Sequence, residues 1–169
     1  MVAPRKALLV IESPNKIEAI KRHLPEGYGM AATIGHIIGT PNTLDPVCIN
    51  QSFEETELVV KSQMSLRFLR DRMMAYDEVI IATDPDEEGD RIAYDVNLLC
   101  KRYHKKVYRT HILELNREGI TKALEQCDEG IIEGLEFKAT RRRVVDRLIG
   151  AALLDAKYGS RGGRVSTAI

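Results

Sequence analysis

Val79-Ile80-Ile81-Ala82-Thr83-Asp84-Pro85-Asp86-Glu87-Glu88-Gly89-Asp90 joins an unbroken apolar run to five carboxylates within seven residues. Val79 to Thr83 reads as a buried strand of a parallel sheet, because such strands are covered on both faces and lose the polar–apolar alternation. The acids then fall at the carboxyl end of that strand, where open α/β sheets bind their ligands. Two unit charges roughly 6 Å apart repel by about 0.7 kcal/mol in water and about 3 kcal/mol at an effective dielectric near 20. Several such pairs burden a fold unless something neutralises them, and a divalent cation does so most simply. With extended backbone from Asp84 to Glu88, the side chains of Asp84, Asp86 and Glu88 share one side and Glu87 points away. Pro85 supports this by disfavouring helical backbone at Asp84, and Gly89 allows a tight entry into the next helix. Hard oxygen ligands of this kind suit Mg2+ or Mn2+. The competing reading is a solvated acidic turn that caps a helix. Pro85 and the absence of the twelve-residue ligand spacing exclude an EF-hand.

Outward from this stretch the chain alternates strands and helices. Lys6 to Ile11 is an apolar strand, and Asn15 to Leu24 carries helical spacing through Ile17, Ile20 and Leu24. Pro25 to Gly29 is a turn, Met30 to Ile38 a second strand, and Gly39 to Ser52 a loop. Leu58 to Val60 is a short strand and Ser65 to Tyr76 a helix. Beyond the acids, Arg91 to Tyr103 is helical, Lys106 to Leu113 a strand and Arg117 to Cys127 a helix. The alternation predicts an α/β, Rossmann-like, doubly wound and mostly parallel sheet flanked by helices. Glu136 to Tyr158 differs: it is a long helical pattern, basic early and apolar from Val144, and reads as the start of a helical domain. The expected division is residues 1–130 for the α/β domain and residues 131–169 for an incomplete helical one.

Composition excludes several classes. The 169 residues suit one sizeable core, and 44% hydrophobic with 30% charged residues is ordinary for a globular protein. The net charge is zero but segregated: Lys138 to Arg164 holds eight Lys/Arg against two acids, and Asp84 to Asp95 holds six acids against Arg91. An acidic site beside a basic surface suits a phosphate-rich partner. Three scattered cysteines form neither a zinc set nor a disulfide framework. No stretch is apolar enough to cross a membrane and no signal peptide is recognisable, so a cytoplasmic protein is expected.

Three further constellations carry chemistry. Glu12 ends the first strand, and a parallel sheet would bring it beside the acidic loop, where crowding raises a carboxyl pKa toward general-acid use. Lys16, a turn later, could meet a phosphate; a cap-region acid and a solvated lysine are the plain alternatives. His36, in Gly35-His36-Ile37, stands alone, and a lone histidine is more often structural. Arg141-Arg142-Arg143-Val144-Val145-Asp146-Arg147 can bind phosphates, and Arg142 with Asp146 at i, i+4 can address a base edge. A helix with an intrahelical ion pair is the alternative. With 5% aromatics and no Trp, a stacking-dominated platform is disfavoured.

Taken in order, these residues resemble the N-terminal part of type IA DNA topoisomerases. Val10 to Ile20, VIESPNKIEAI, is similar to that family's opening V-x-E-S-P-x-K-x-x-x-I. Ala82 to Asp90, ATDPDEEGD, is similar to its Toprim motif A-T-D-x-D-R-E-G-E. Gly35-His36-Ile37 matches its G-H-I/V, Arg142 to Gly150 its R-R-x-x-D-R-x-x-G, and Gly163-Arg164-Val165-Ser166 its G-R-V-Q/S. The resemblance implies Mg2+ held by Asp84, Asp86 and Glu88. It implies Glu12 as the acid at the leaving 3′ oxygen and Lys16 as a phosphate contact. Arg142, Asp146, Arg164 and His36 would meet DNA, mainly single-stranded. In such enzymes a tyrosine cleaves one strand through a 5′-phosphotyrosine, and religation relaxes negative supercoils.

Glu87 stands where the family has Arg, and Asp90 where it has Glu. None of Tyr28, Tyr76, Tyr94, Tyr103, Tyr108 and Tyr158 stands in the nucleophile's motif. A chain of this kind is expected not to relax DNA alone, and to work with the remaining topoisomerase domains. Another Toprim enzyme, such as a primase or an OLD-type nuclease, and a stand-alone DNA-binding Toprim module are the rival readings.

Overall fold

The computed structural model describes residues 6–39, 58–129, 141 and 144–149. Its frame is a five-stranded sheet in the order β2-β1-β5-β6-β7, formed by β1 (Ala7–Ile11), β2 (Tyr28–Ala32), β5 (Glu78–Ile81), β6 (Lys106–Arg109) and β7 (Asp128–Glu129). The first four are mutually parallel, and β7 is an antiparallel edge on β6. β1 is buried along its whole length because strands flank it on both sides and helices cover both faces. Leu8 and Val10 point to one face, where they meet Leu69 and Met73 of α2 (Gln63–Met74) and Ile92, Val96 and Leu99 of α3 (Glu87–Arg102). Leu9 and Ile11 point to the other, against Ile20 of α1 (Ile17–Lys21) and Ile120 and Leu124 of α4 (Arg117–Glu125). Two helices per face make the expected doubly wound, Rossmann-like fold.

The order of strands places a topological switch between β1 and β5. The chain leaves β1 through α1 toward β2 on one side, and leaves β5 through α3 toward β6 on the other. The crossovers diverge there and open a crevice at the carboxyl ends of β1 and β5. Glu12 and Asp84 are the residues that meet it.

Several elements differ from expectation, each for a local reason. The helix over Asn15–Leu24 is a 3-10 turn at Pro14–Lys16 followed by α1, because Ser13 caps with Pro14 at the first position. The strand over Met30–Ile38 ends at Ala32. Ile34 (φ 55°) and Gly35 (φ 86°) turn the chain, and Ile38–Gly39 instead forms β3, antiparallel to β4 (Val59–Val60) in a separate ribbon. The strand over Lys106–Leu113 is spent at Arg109, with one further bond from the Thr110 N–H to the Ile81 carbonyl. The proposed division at residue 130 lies outside the described residues. So does most of the 136–158 helix, of which residues 141 and 144–149 are helical.

Candidate active site

The acidic segment is assembled differently from an extended strand, and Asp84, Asp86 and Glu88 each lie near enough to Glu12 to act on its charge. Asp86 is the N-cap of α3: its Oδ1 accepts from the Gly89 N–H at 2.7 Å, so the helix begins at Glu87 rather than Arg91. Glu87, Glu88 and Asp90 therefore lie in its first turn, where the helix dipole favours negative charge. The expected alternation from Asp84 to Glu88 is thus broken at Asp86. Glu12 nevertheless feels Asp84, Asp86 and Glu88 together. Burial pushes its carboxyl above the usual value of 4.5, the three carboxylates push it further, and Lys16 pulls it partly back. β1 pairs directly with β5, Val10 opposite Ile81, and the Ala82 N–H donates to the Val10 carbonyl at 2.7 Å. The sheet therefore brings Glu12 into the acidic cluster.

Lys16 reaches the same place from the 3-10 turn. Its Nζ lies 2.6 Å from Oδ1 and 2.8 Å from Oδ2 of Asp84, bridging both oxygens. Both side chains are partly exposed, 38% for Lys16 and 41% for Asp84, so the pair contributes only about 0.2–1 kcal/mol. His36 follows the Ile34–Gly35 turn. Its Nε2 lies 3.6 Å from Glu88 Oε1 and its Nδ1 3.5 Å from Oδ2 of Asp95, a carboxylate with no exposure. Asp146 meets Arg91 at 3.8 Å. Arg142 and Arg164 lie outside the described residues.

Two participants were not singled out from the sequence. Asp95, taken there as part of a helix, backs His36 from the protein interior. Arg109 is 4% exposed, and its Nη1 donates to the carbonyls of Ile81 (3.2 Å), Thr83 (3.2 Å) and Thr110 (3.0 Å). Its Nη2 donates to Asp90 at 3.4 Å. It ties the carboxyl ends of β5 and β6 to the acidic helix turn, and so sets a cation beside a loop that carries Glu87. The signal was available: Arg109 and Val107 are two apart on one strand and share the buried face.

The raised carboxyl of Glu12 has a measurable consequence. A group whose folded pKa exceeds its unfolded value adds stability that is fully present below the unfolded pKa and is lost as pH rises through the folded one. Metal-free protein should therefore lose part of its stability as pH climbs from about 4.5. Urea midpoints across pH 4–8 should show that slope, and Glu12→Gln should remove its share. An identical slope in the variant would contradict the crowding.

A glutamate on one strand end, an acidic loop on the next and a crevice between them define the Toprim class, and this chain belongs to the Toprim domain family, which matches residues 7–115. DNA topoisomerase 1 of Synechocystis sp. is 30% identical over 161 residues, covering 86% of this chain and 18% of the relative. DNA topoisomerase 1 of Mycoplasmoides gallisepticum is 30% identical over 189 residues, covering 95% of this chain and 26% of that one. Reverse gyrase 1 of Sulfurisphaera tokodaii is 38% identical over 109 residues, 64% of this chain and 9% of the relative. The structure of full-length topoisomerase I from Thermotoga maritima superposes with a TM-score of 0.71 at 27% identity, covering 92% of this chain and 27% of that chain. The Toprim domain is thus homologous to the N-terminus of type IA topoisomerases. The chain spans about a fifth to a quarter of the length of these DNA topoisomerase 1 relatives.

Proposed function

We propose that this chain is the Mg2+-binding Toprim part of a type IA DNA topoisomerase, acting on single-stranded DNA. The observation that carries the reading is the crowding of Glu12 by Asp84, Asp86 and Glu88 at the switch point of the sheet. A carboxyl whose pKa is raised by burial and by three neighbouring carboxylates is suited to give its proton to a leaving 3′ oxygen. Asp84 and Glu88, with the second oxygen of Asp86, offer the hard donors that Mg2+ accepts. Among the described residues no group of three or more Asp, Glu, His or Cys side chains is arranged to hold a metal ion. Mg2+ does not require one, because it keeps most of its waters and takes one or two carboxylates together with substrate phosphate. Bound there, it would neutralise charge on the reacting phosphate. Lys16, which bridges both oxygens of Asp84, would contact the same phosphate. Arg142, Asp146, Arg164 and His36 would guide the strand, and the remaining domains of a topoisomerase would supply the nucleophilic tyrosine.

A titration with Mg2+ or Mn2+ followed by NMR tests the reading. Resonances of Asp84, Asp86 and Glu88 should move first, and Asp84→Asn with Asp86→Asn should abolish the response. No response at millimolar metal would reject it. Plasmid incubated with this chain and Mg2+ should stay supercoiled, and relaxation would contradict the partial-site reading. Divalent-dependent nicking or primer synthesis would favour a different Toprim enzyme. Lys16→Ala should tighten metal binding by up to about fivefold, because an ion pair of about 0.2–1 kcal/mol no longer competes for Asp84. Weaker binding in that variant would mean that Lys16 positions Asp84 rather than competing for it.

A further inference from the structure

Asp95 is the only buried carboxylate among the described residues. It lies on α3, whose inner face otherwise turns Ile92, Val96 and Leu99 into the core. Taking a carboxylate out of water costs several kcal/mol unless other groups answer its charge. Its Oδ2 lies 3.5 Å from Nδ1 of His36, and Nε2 of the same ring lies 3.6 Å from Oε1 of Glu88. Glu88 and Asp95 are seven residues apart on α3, about two turns, and therefore share one face. The imidazole stands along that face, between a carboxylate of the interior and a carboxylate of the crevice.

The backbone brings the ring there and keeps it there. Ile34 and Gly35 reverse the chain just before His36, and Ile37 just after it is fully buried. The Ile37 carbonyl is also held by the Lys61 N–H at 2.8 Å. Both ring nitrogens are shut off from solvent, and neither contact is yet a closed hydrogen bond. Hydrogen bonds of this kind are often long without a ligand and tighten when one binds. A neutral imidazole has one N–H, and a carboxylate only accepts. Attraction is stronger to the buried Asp95 than to Glu88, whose side chain is 53% exposed and screened by water. The proton therefore belongs on Nδ1, and the lone pair of Nε2 faces Oε1 of Glu88. Two acceptors so placed are unfavourable neighbours until a donor lies beside both. Water retained by a divalent cation is such a donor.

We propose that Asp95 is a positioning residue: by accepting the Nδ1–H of His36 it fixes Nε2 as an acceptor beside Glu88, for water carried by the divalent cation. Resting on the function proposed above, this adds a residue that no motif in the sequence marks. Asp95 itself touches neither cation nor DNA and acts through the ring. His36 thereby gains a task at the cation besides guiding the strand.

The test reads the imidazole nitrogens of the Mg2+-loaded chain by long-range 1H–15N correlation NMR, which distinguishes the two tautomers. At about pH 8, above the usual imidazole range, His36 should carry its proton on Nδ1 and none on Nε2. In Asp95→Asn the new amide can donate to Nδ1, so the proton should move to Nε2. Mg2+ binding should then weaken by about tenfold, the lower end of what losing such a carboxylate partner costs. A purely structural role for Asp95 would cost the same affinity whatever stands at position 36. Here Asp95→Asn should cost nothing further in a His36→Gln background. A proton on Nε2 in the loaded, unsubstituted chain, an unmoved tautomer in Asp95→Asn, or an equal loss in both backgrounds would overturn the role alone. No Mg2+ response in the unsubstituted chain would overturn the proposed function and this role together. Should Asp95→Asn fail to fold, the unsubstituted chain decides: Nδ1–H supports the role and Nε2–H overturns it.

Discussion

Gly89→Ala should destabilise the protein by about 3 kcal/mol, although alanine is the better helix former by about 1 kcal/mol. Gly89 sits in the first turn of α3, where a Cβ would run into the Asp84 carbonyl oxygen and approach Asp84 C to 2.9 Å and N to 3.0 Å. Those atoms are backbone and cannot swing aside. The site is also pinned on both sides. The Gly89 N–H is held by Asp86 Oδ1 at 2.7 Å, and its carbonyl accepts from the buried Thr83 hydroxyl at 2.6 Å. Relief requires the helix start to move, which breaks the Asp86 cap at a cost of about 1 kcal/mol and overpacks the turn at about 1–3 kcal/mol more. Thermal unfolding should show a drop of roughly 6–12 °C for a protein of this size. A rise in melting temperature would show that propensity outweighs the contact.

Arg109→Met should be costlier still, about 3–5 kcal/mol, the range for removing one partner of a buried charge network. The guanidinium is 4% exposed and serves three carbonyls and Asp90 at once. Burial lowers its pKa, while Asp90 and Asp84 hold it up. Methionine fills much of the volume but leaves the Ile81, Thr83 and Thr110 carbonyls without that donor. Lysine should recover only part of the loss, because a point charge cannot reach three carbonyls as a planar fork does. Denaturant titration of the three proteins should rank them Arg, Lys, Met. Equal stability of Lys and Arg at position 109 would reduce the guanidinium to a simple charge.

The main sheet was legible because its signal is physical and local. An apolar run such as Leu8 to Ile11 or Val79 to Ile81 has one stable destination, the buried interior between helices. Alternation with helices then fixes parallel topology. Glu12 and the acidic loop followed from that, since adjacent strand ends must meet. The local path from Asp84 to Glu88 was not legible, because the same residues serve an extended turn or an N-cap. Only the closeness of Asp86 to the Gly89 N–H decides between them. The break after Ala32 was hidden because Ile34 is a β-branched residue at φ 55°, a conformation its side chain resists. Arg109 was missed although it shares the buried face of its strand with Val107, because a charged residue near a strand end usually faces water and its carbonyl partners are mostly distant in sequence.

The ladder between β1 and β5 sets more than proximity. Glu12 and the acidic loop ride on two neighbouring rails about 4.8 Å apart, joined by hydrogen bonds rather than by loops. A slip of one residue along either rail would turn over the whole apolar set of that strand, exchanging Leu8 and Val10 with Leu9 and Ile11 between the two cores. Alignment of the acid with the carboxylates is therefore tied to how closely each core fits its own side chains. A chain that misplaces Glu12 along this ladder must therefore repack both cores at the same time.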